Sequence, residues 1–287
     1  QTINSPYSRY GLGDIVPSQN ILTRGMGGVS AAYYDFNTIN FQNPASYGRL
    51  RSTTLDIGVE LDNRTLRAID PPRKFNAYSP TISYVQFGFP LKREGGWGVN
   101  VGLRPLTRVN YKIERPEKLP DVDSVHTLFE GSGGAYEAHL GTGFTLFKYL
   151  SVGVNIGYLF GSKNFSSRRS IVNDSVFHYM SNHETQANYG GLLFNAGIQY
   201  TIRFNKSTYL RLGAHGNLEH NFNASRDLNV ETFQYSSGTG APVQIDSVYS
   251  EKDVKGDVIY PASYGTGLIF EKTGKWMVGV DYNTTQW

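Results

Sequence analysis

Inward-pointing acids, bases and histidines are the first residues that could do chemistry in this sequence: Asp56, Glu60, Arg104, Glu137, His139, Arg211, His215 and Glu219. Such side chains transfer protons, bind anions and ligate metals, but only where they converge with the right spacing. The spacing argues against each of these. No two of the 6 histidines stand at the i, i+4 separation of a helical zinc site, and the absence of cysteine removes thiolate ligands and thiol nucleophiles. Ser132, in Gly131-Ser132-Gly133, lacks the Gly-x-Ser-x-Gly elbow of a hydrolase. The run Gly25-Met26-Gly27-Gly28 is followed by no Lys-Ser/Thr pair, so it is not a phosphate-binding loop. The sequence therefore predicts no enzyme, no metal and no cofactor, and places Arg104, Glu137, His139, Arg211, His215 and Glu219 in one hydrated, mutually paired lumen network.

The elements that would carry these residues alternate with a period of two. Leu55, Ile57, Val59 and Leu61 share one parity, with Asp56, Gly58, Glu60 and Asp62 on the other. The pattern recurs in Val99, Val101 and Leu103, in Tyr136, Ala138 and Leu140, in Val152, Val154, Ile156 and Tyr158, and on to Val278, Val280 and Tyr282. Counting such segments gives about nine strands of ten or more residues each, longer than the five or six typical of a sandwich. Their second face carries glycine, Glu, His, Arg, Asn and Gln, and their apolar face ends in Tyr, Trp or Phe, as in an antiparallel transmembrane β-barrel. Composition agrees: only 18% of the 287 residues are charged, with 32 glycines and 20 tyrosines, and no apolar run is long enough for a transmembrane helix. The 27 basic and 24 acidic residues form no cluster that would serve nucleic acid.

Connections alternate short and long. Residues 92–96, 147–149, 204–207 and 271–275 read as tight periplasmic turns, and residues 64–77, 110–133, 162–188 and 220–262 as long extracellular loops. An odd number of strands leaves the chain at the outer surface, and Trp287 falls on inward parity. The expectation is a barrel of which further strands lie beyond Trp287. The chain opens with Gln1, as a mature chain would after removal of a signal peptide.

Residues 1–50 do not alternate and form a compact, loop-rich plug, with the barrel over 51–287. Arg24-Gly25-Met26-Gly27-Gly28-Val29-Ser30-Ala31-Ala32, followed by Asn43-Pro44-Ala45-Ser46 just before the first strand, resembles the hatch of the FadL family of outer-membrane hydrophobic-substrate channels. The opening Ser5-Pro6-Tyr7-Ser8-Arg9-Tyr10-Gly11-Leu12-Gly13-Asp14 looks like FadL-like proteins of the Bacteroidota. The resemblance implies a 14-stranded barrel plugged by an N-terminal hatch. Arg24, Gly25, Gly27, Gly28, Asn43, Pro44 and Ala45 are then hatch residues.

Pro105 cannot donate to a ladder, so it marks either a lateral opening, as the kinked third strand of that family does, or merely the end of a strand. The triplets Asp123-Ser124-Val125, Asp174-Ser175-Val176 and Asp246-Ser247-Val248 resemble the Asp-Ser/Thr-aliphatic acceptor for O-glycosylation in Bacteroidota, or each starts an extended segment of a loop hairpin. Two functions follow in the outer membrane of a Gram-negative bacterium: passive uptake of hydrophobic, fatty-acid-like molecules, or a non-transporting FadL-like subunit or shuttle of a secretion or assembly complex, as the related PorV-type proteins are. The expected partners are outer-membrane lipid, a hydrophobic ligand, and other outer-membrane proteins or lipoproteins.

Overall fold

The computed structural model describes residues 4–68, 72–92, 95–118, 124–172, 178–236, 238 and 240–286. After a 3-10 turn at Pro6–Arg9 come β1 (Asp14–Ile15), the short α1 (Ile21–Gly25) and a second 3-10 turn at Pro44–Arg49. The sheet then follows as β2 (Thr54–Ala68), β3 (Arg73–Pro90), β4 (Trp97–Lys118), β5 (Ser124–Leu146), β6 (Leu150–Ile171), β7 (Met180–Arg203), β8 (Thr208–Asn217), β9 (His220–Tyr235), β10 (Pro242–Tyr260), β11 (Ser263–Lys272) and β12 (Trp276–Thr285). Every pairing is antiparallel, in the order β12-β11-β8-β7-β6-β5-β4-β3-β2, and the sheet curls into an open half-barrel.

β8 and β9 are one rising stave broken at residues 218–219, and β10 and β11 one descending stave broken at 261–262. The pairing Tyr260↔His220 continues directly into Ser263↔Asn217. With these joined, the alternation reads correctly as nine staves along the sheet.

The convex face carries the apolar parity. Leu55, Ile57, Val59 and Leu61 on β2, Leu140 on β5, Ile156 on β6 and Val280 on β12 are all exposed. Stacked aromatic pairs mark the rims of this belt: Trp97 on Phe144 at 5.3 Å and Tyr136 on Phe160 at 6.0 Å. Phe144 and Tyr136 lie on one face of β5, about 26 Å apart along the strand at ~3.3 Å per residue, near the height of a lipid-facing belt. Beyond Tyr136 the convex face turns ionic, where Glu130 binds Lys112 at 2.8 Å and Arg168 at 3.3 Å.

The long segments at this end differ from expectation. They are not loops: β4 to β7 run 22, 23, 22 and 24 residues, about twice the 9–11 a tilted strand needs to cross a bilayer. The connections expected at 64–77, 110–133, 162–188 and 220–262 are therefore mostly hairpin extensions of the staves. Trp287 and the triplet Asp174-Ser175-Val176 lie outside the described residues.

Candidate functional site

The concave face is filled by the N-terminal segment, and its packing explains much of the glycine content. Added Cβ atoms on Gly98, Gly153, Gly197 and Gly213 would collide with Tyr47 O, Pro44 O, the Asn43 side chain and Ala31 O. An irregular segment buried this way must find partners for its backbone, and amide side chains of the wall supply them. Gln199 Nε2 donates to Ala31 O and Tyr33 O at 3.0 Å, Asn195 Nδ2 to Gln42 O at 3.1 Å, and Asn155 Nδ2 to Phe41 O at 3.3 Å. In the sequence these inward amides show only as lumen polarity.

Asn43 caps the Pro44–Arg49 turn by accepting from Ala45 N–H at 3.1 Å. It also donates to Ala31 O at 2.6 Å and to Ile198 O and Ala214 O at 3.3 Å, pinning the segment to β7 and β8. Pro44 and Ala45 are buried beside it. Arg24, in the last turn of α1, pairs with Glu60 of β2 through two contacts of 2.9 and 3.2 Å. Gly27 and Gly28 take φ of +76° and +88°, which favour glycine at the turn that ends α1. Gly25 has neither positive φ nor crowding.

The predicted network forms, but not as one. Arg104 Nε and Nη2 both bond Glu137 Oε2 at 2.8 Å, and His139 Nδ1 lies 4.0 Å from Glu137 Oε1. His139 Nε2 meets Asn100 Nδ2 at 3.0 Å; Asn100 also donates to Gln86 Oε1 at 2.8 Å and to the buried Tyr47 hydroxyl at 3.3 Å. Burial pushes the Tyr47 phenol well above its usual range, so it stays protonated. Arg211 stands apart, bonded to Glu271 at 2.5 Å and to Tyr34 O at 3.1 Å. His215 lies beside Asp281 of β12, whose carboxylate accepts from Ser30 and Ala31. Glu219 lies exposed on the connection at 218–219 between β8 and β9, and these pairs do not include it. Asp56 accepts from the Tyr84 hydroxyl at 3.2 Å. Among the described residues no His, Cys, Asp and Glu group could hold a metal ion.

Pro105 marks a break in the wall on one side only. The β4–β5 ladder continues past it with a bulge between Pro105 and Thr107, whereas the β3–β4 ladder stops at Val85↔Leu103. Above that point β3 and β4 part, and residues 4–16 lie along the freed edge of β4. Val16 N–H donates to Leu106 O at 2.9 Å, Asp14 and Ile15 pair with Arg108 and Thr107, and Ser5 N–H donates to Asn110 O at 2.8 Å. Asn110 N–H donates to Ser8 Oγ at 3.1 Å, and Asn4 bonds both backbone groups of Lys112. Leu12 of this strap packs into an inner cluster with Leu106, Ala135, Leu159, Tyr189 and Phe222. A cavity of about 420 Å³ remains in the split, lined by Asp14, Glu60, Asp62, Arg64, Thr81 and Arg108 among others.

Ser124 begins β5 and is half-buried, as a hairpin start would be, while Ser247 is exposed within β10. No curated protein and no solved structure matches the chain. A family model does match, over residues 1–287, and its description is BamG rather than that of the hydrophobic-substrate channels the hatch residues resemble. By that match over its whole length, the chain belongs to the BamG family.

Proposed function

We propose that the chain is a non-transporting β-barrel subunit of an outer-membrane β-barrel assembly complex, with its apolar belt in lipid and residues 20–50 acting as a fixed plug. One observation carries this reading: the lateral split beside Pro105 is occupied by the protein's own residues 4–16, hydrogen-bonded to the edge of β4. A hydrophobic compound leaving the lumen there would have to displace them and pass Glu60, Asp62, Arg64 and Arg108, a costly route for an apolar solute. The family name supports the reading, since it points to the machinery that inserts barrels into the outer membrane.

The test is purification of the full chain from native membranes in mild detergent, beside an uptake assay with a fluorescent fatty acid in cells with and without the protein. Stoichiometric co-purification of barrel-assembly proteins with unchanged uptake is expected. Uptake that follows the level of the protein, with no co-purifying subunit, would overturn the proposal.

A further inference from the structure

The split between β3 and β4 has the form of a place for one polypeptide strand. Residues Arg73–Tyr84 of β3 are paired only with β2, and β4 above Leu103 is paired on its far side with β5. The backbone groups that β4 turns toward the split belong to Leu106, Arg108, Asn110 and Lys112, alternate residues as a ladder requires. Two polar side-chain atoms on the walls, Thr81 Oγ1 and Arg108 Nη2, are buried without a partner, an unfavourable condition that an incoming donor or acceptor relieves.

The strap that sits there fits imperfectly. Only Asp14 and Ile15 are strand, while Pro6–Arg9 turn away as a 3-10 helix and Gly11 and Gly13 take φ of +53° and +100°. Between Ser5, opposite Asn110, and Asp14, opposite Arg108, the intervening residues bulge out, leaving Tyr7 and Tyr10 exposed. Asn110 N–H and both groups of Lys112 are satisfied by side chains of Ser8 and Asn4 rather than by a backbone. A continuous extended segment would meet the same groups with its own N–H and C=O in regular succession.

We propose that the β4 edge is a receptor for an extended polypeptide strand of a client or partner barrel, which pairs antiparallel with Leu106–Lys112 and displaces residues 4–16. This rests on the assembly reading above and names the chemistry of what such a subunit would hold. Pro80 and Pro105, on opposite edges of the split, each lack an N–H. Pro80 falls within the unpaired stretch of β3, whereas Leu106–Lys112 of β4 holds no proline, so pairing on β4 is favoured.

The chain has no cysteine, so a disulfide lock can be introduced without background. Ile15 and Thr107 are directly opposed, and Ile15→Cys with Thr107→Cys would staple the strap to β4. The probe is a fluorescently labelled synthetic peptide of residues 263–272, a barrel strand of alternating pattern, with a scrambled, proline-containing control. Reduced protein should bind the peptide, and oxidation should weaken binding about tenfold or more. Conversely, Ser5→Pro with Asn4→Ala loosens the strap and should tighten binding about threefold, because less of the protein is held in the occluded form. Equal binding in the oxidised and reduced forms would overturn the proposal, as would no binding in either. Oxidation-sensitive binding of a fluorescent fatty acid without peptide binding would overturn it in favour of a small apolar ligand. Because the assay uses purified protein, its failure is distinct from a failure of co-purification from membranes.

Discussion

Asp281 of β12 accepts the backbone N–H groups of Ser30 and Ala31, each at 2.7 Å, across 251 and 250 residues of sequence. At the opposite end of the sheet Arg24 pairs with Glu60 of β2. One short stretch of the N-terminal segment therefore ties the first large strand to the last described one.

Replacing Asp281 by Leu removes a charged acceptor that two backbone donors share. Hydrogen bonds to charged groups contribute about 1.5–3 kcal/mol each, and a loss of about 2–3 kcal/mol is expected after relaxation. Urea titration followed by the heat-modifiable gel shift of the barrel would measure it. Trypsin should also gain access to Arg24 in the variant.

Gly197→Ala places a methyl group against the Asn43 side chain, and Gly153→Ala places one against Pro44 O. Overpacking of this kind costs about 1–3 kcal/mol. Gly256→Ala, with open space around it, is the control and should be near neutral. Hydrogen exchange of residues 40–50 should rise in the first two variants only.

The Arg104–Glu137 pair is almost wholly withdrawn from solvent, with side-chain exposures of 13% and 3%. Glu137→Leu alone strands a buried guanidinium and should cost about 3–5 kcal/mol, whereas Arg104→Met with Glu137→Leu should recover most of it. A double-mutant cycle in urea reads both values; additivity of the single losses would contradict the coupling.

Asn43→Ala loses the cap on the Pro44–Arg49 turn and the donors to Ala31, Ile198 and Ala214. About 2 kcal/mol is expected from the cap and one strong bond. Asn43→Asp keeps the cap but sets a buried carboxylate oxygen against the Ala31, Ile198 and Ala214 carbonyls, so it should cost more than Asn43→Ala. Thermal melts of folded protein in detergent separate the three.

The staves were legible in the sequence because a half-buried strand cannot avoid period two: Leu140 and Ile156 had to face one way, Gly141 and Gly157 the other. The hairpin ends were not legible, because beyond Tyr136 both faces are polar and alternation loses its contrast, as in Ser162–Ser170 of β6. Glu219 falls in the break at 218–219, where parity carried along the stave no longer assigns a face, since a one-residue slip reverses every side chain after it. His215 lies beside Asp281, whose inward parity on β12 was a usable signal. Arg211 found Glu271, which the sequence suggested was part of a turn. The single missing N–H of Pro105 did register in the sequence. Its one-sided effect did not, because that depends on residues about a hundred positions earlier taking the edge of β4.

The two ties of the N-terminal segment have a kinetic meaning. Arg24 meets Glu60 across 36 residues, but Ser30 waits for Asp281 across 251. Contacts so far apart in sequence form late, because loop closure must be offset before they contribute. Ser30 and Ala31, early in the chain, are thus among the last residues to reach their final place, and until β12 arrives their stretch of the plug lacks its second anchor.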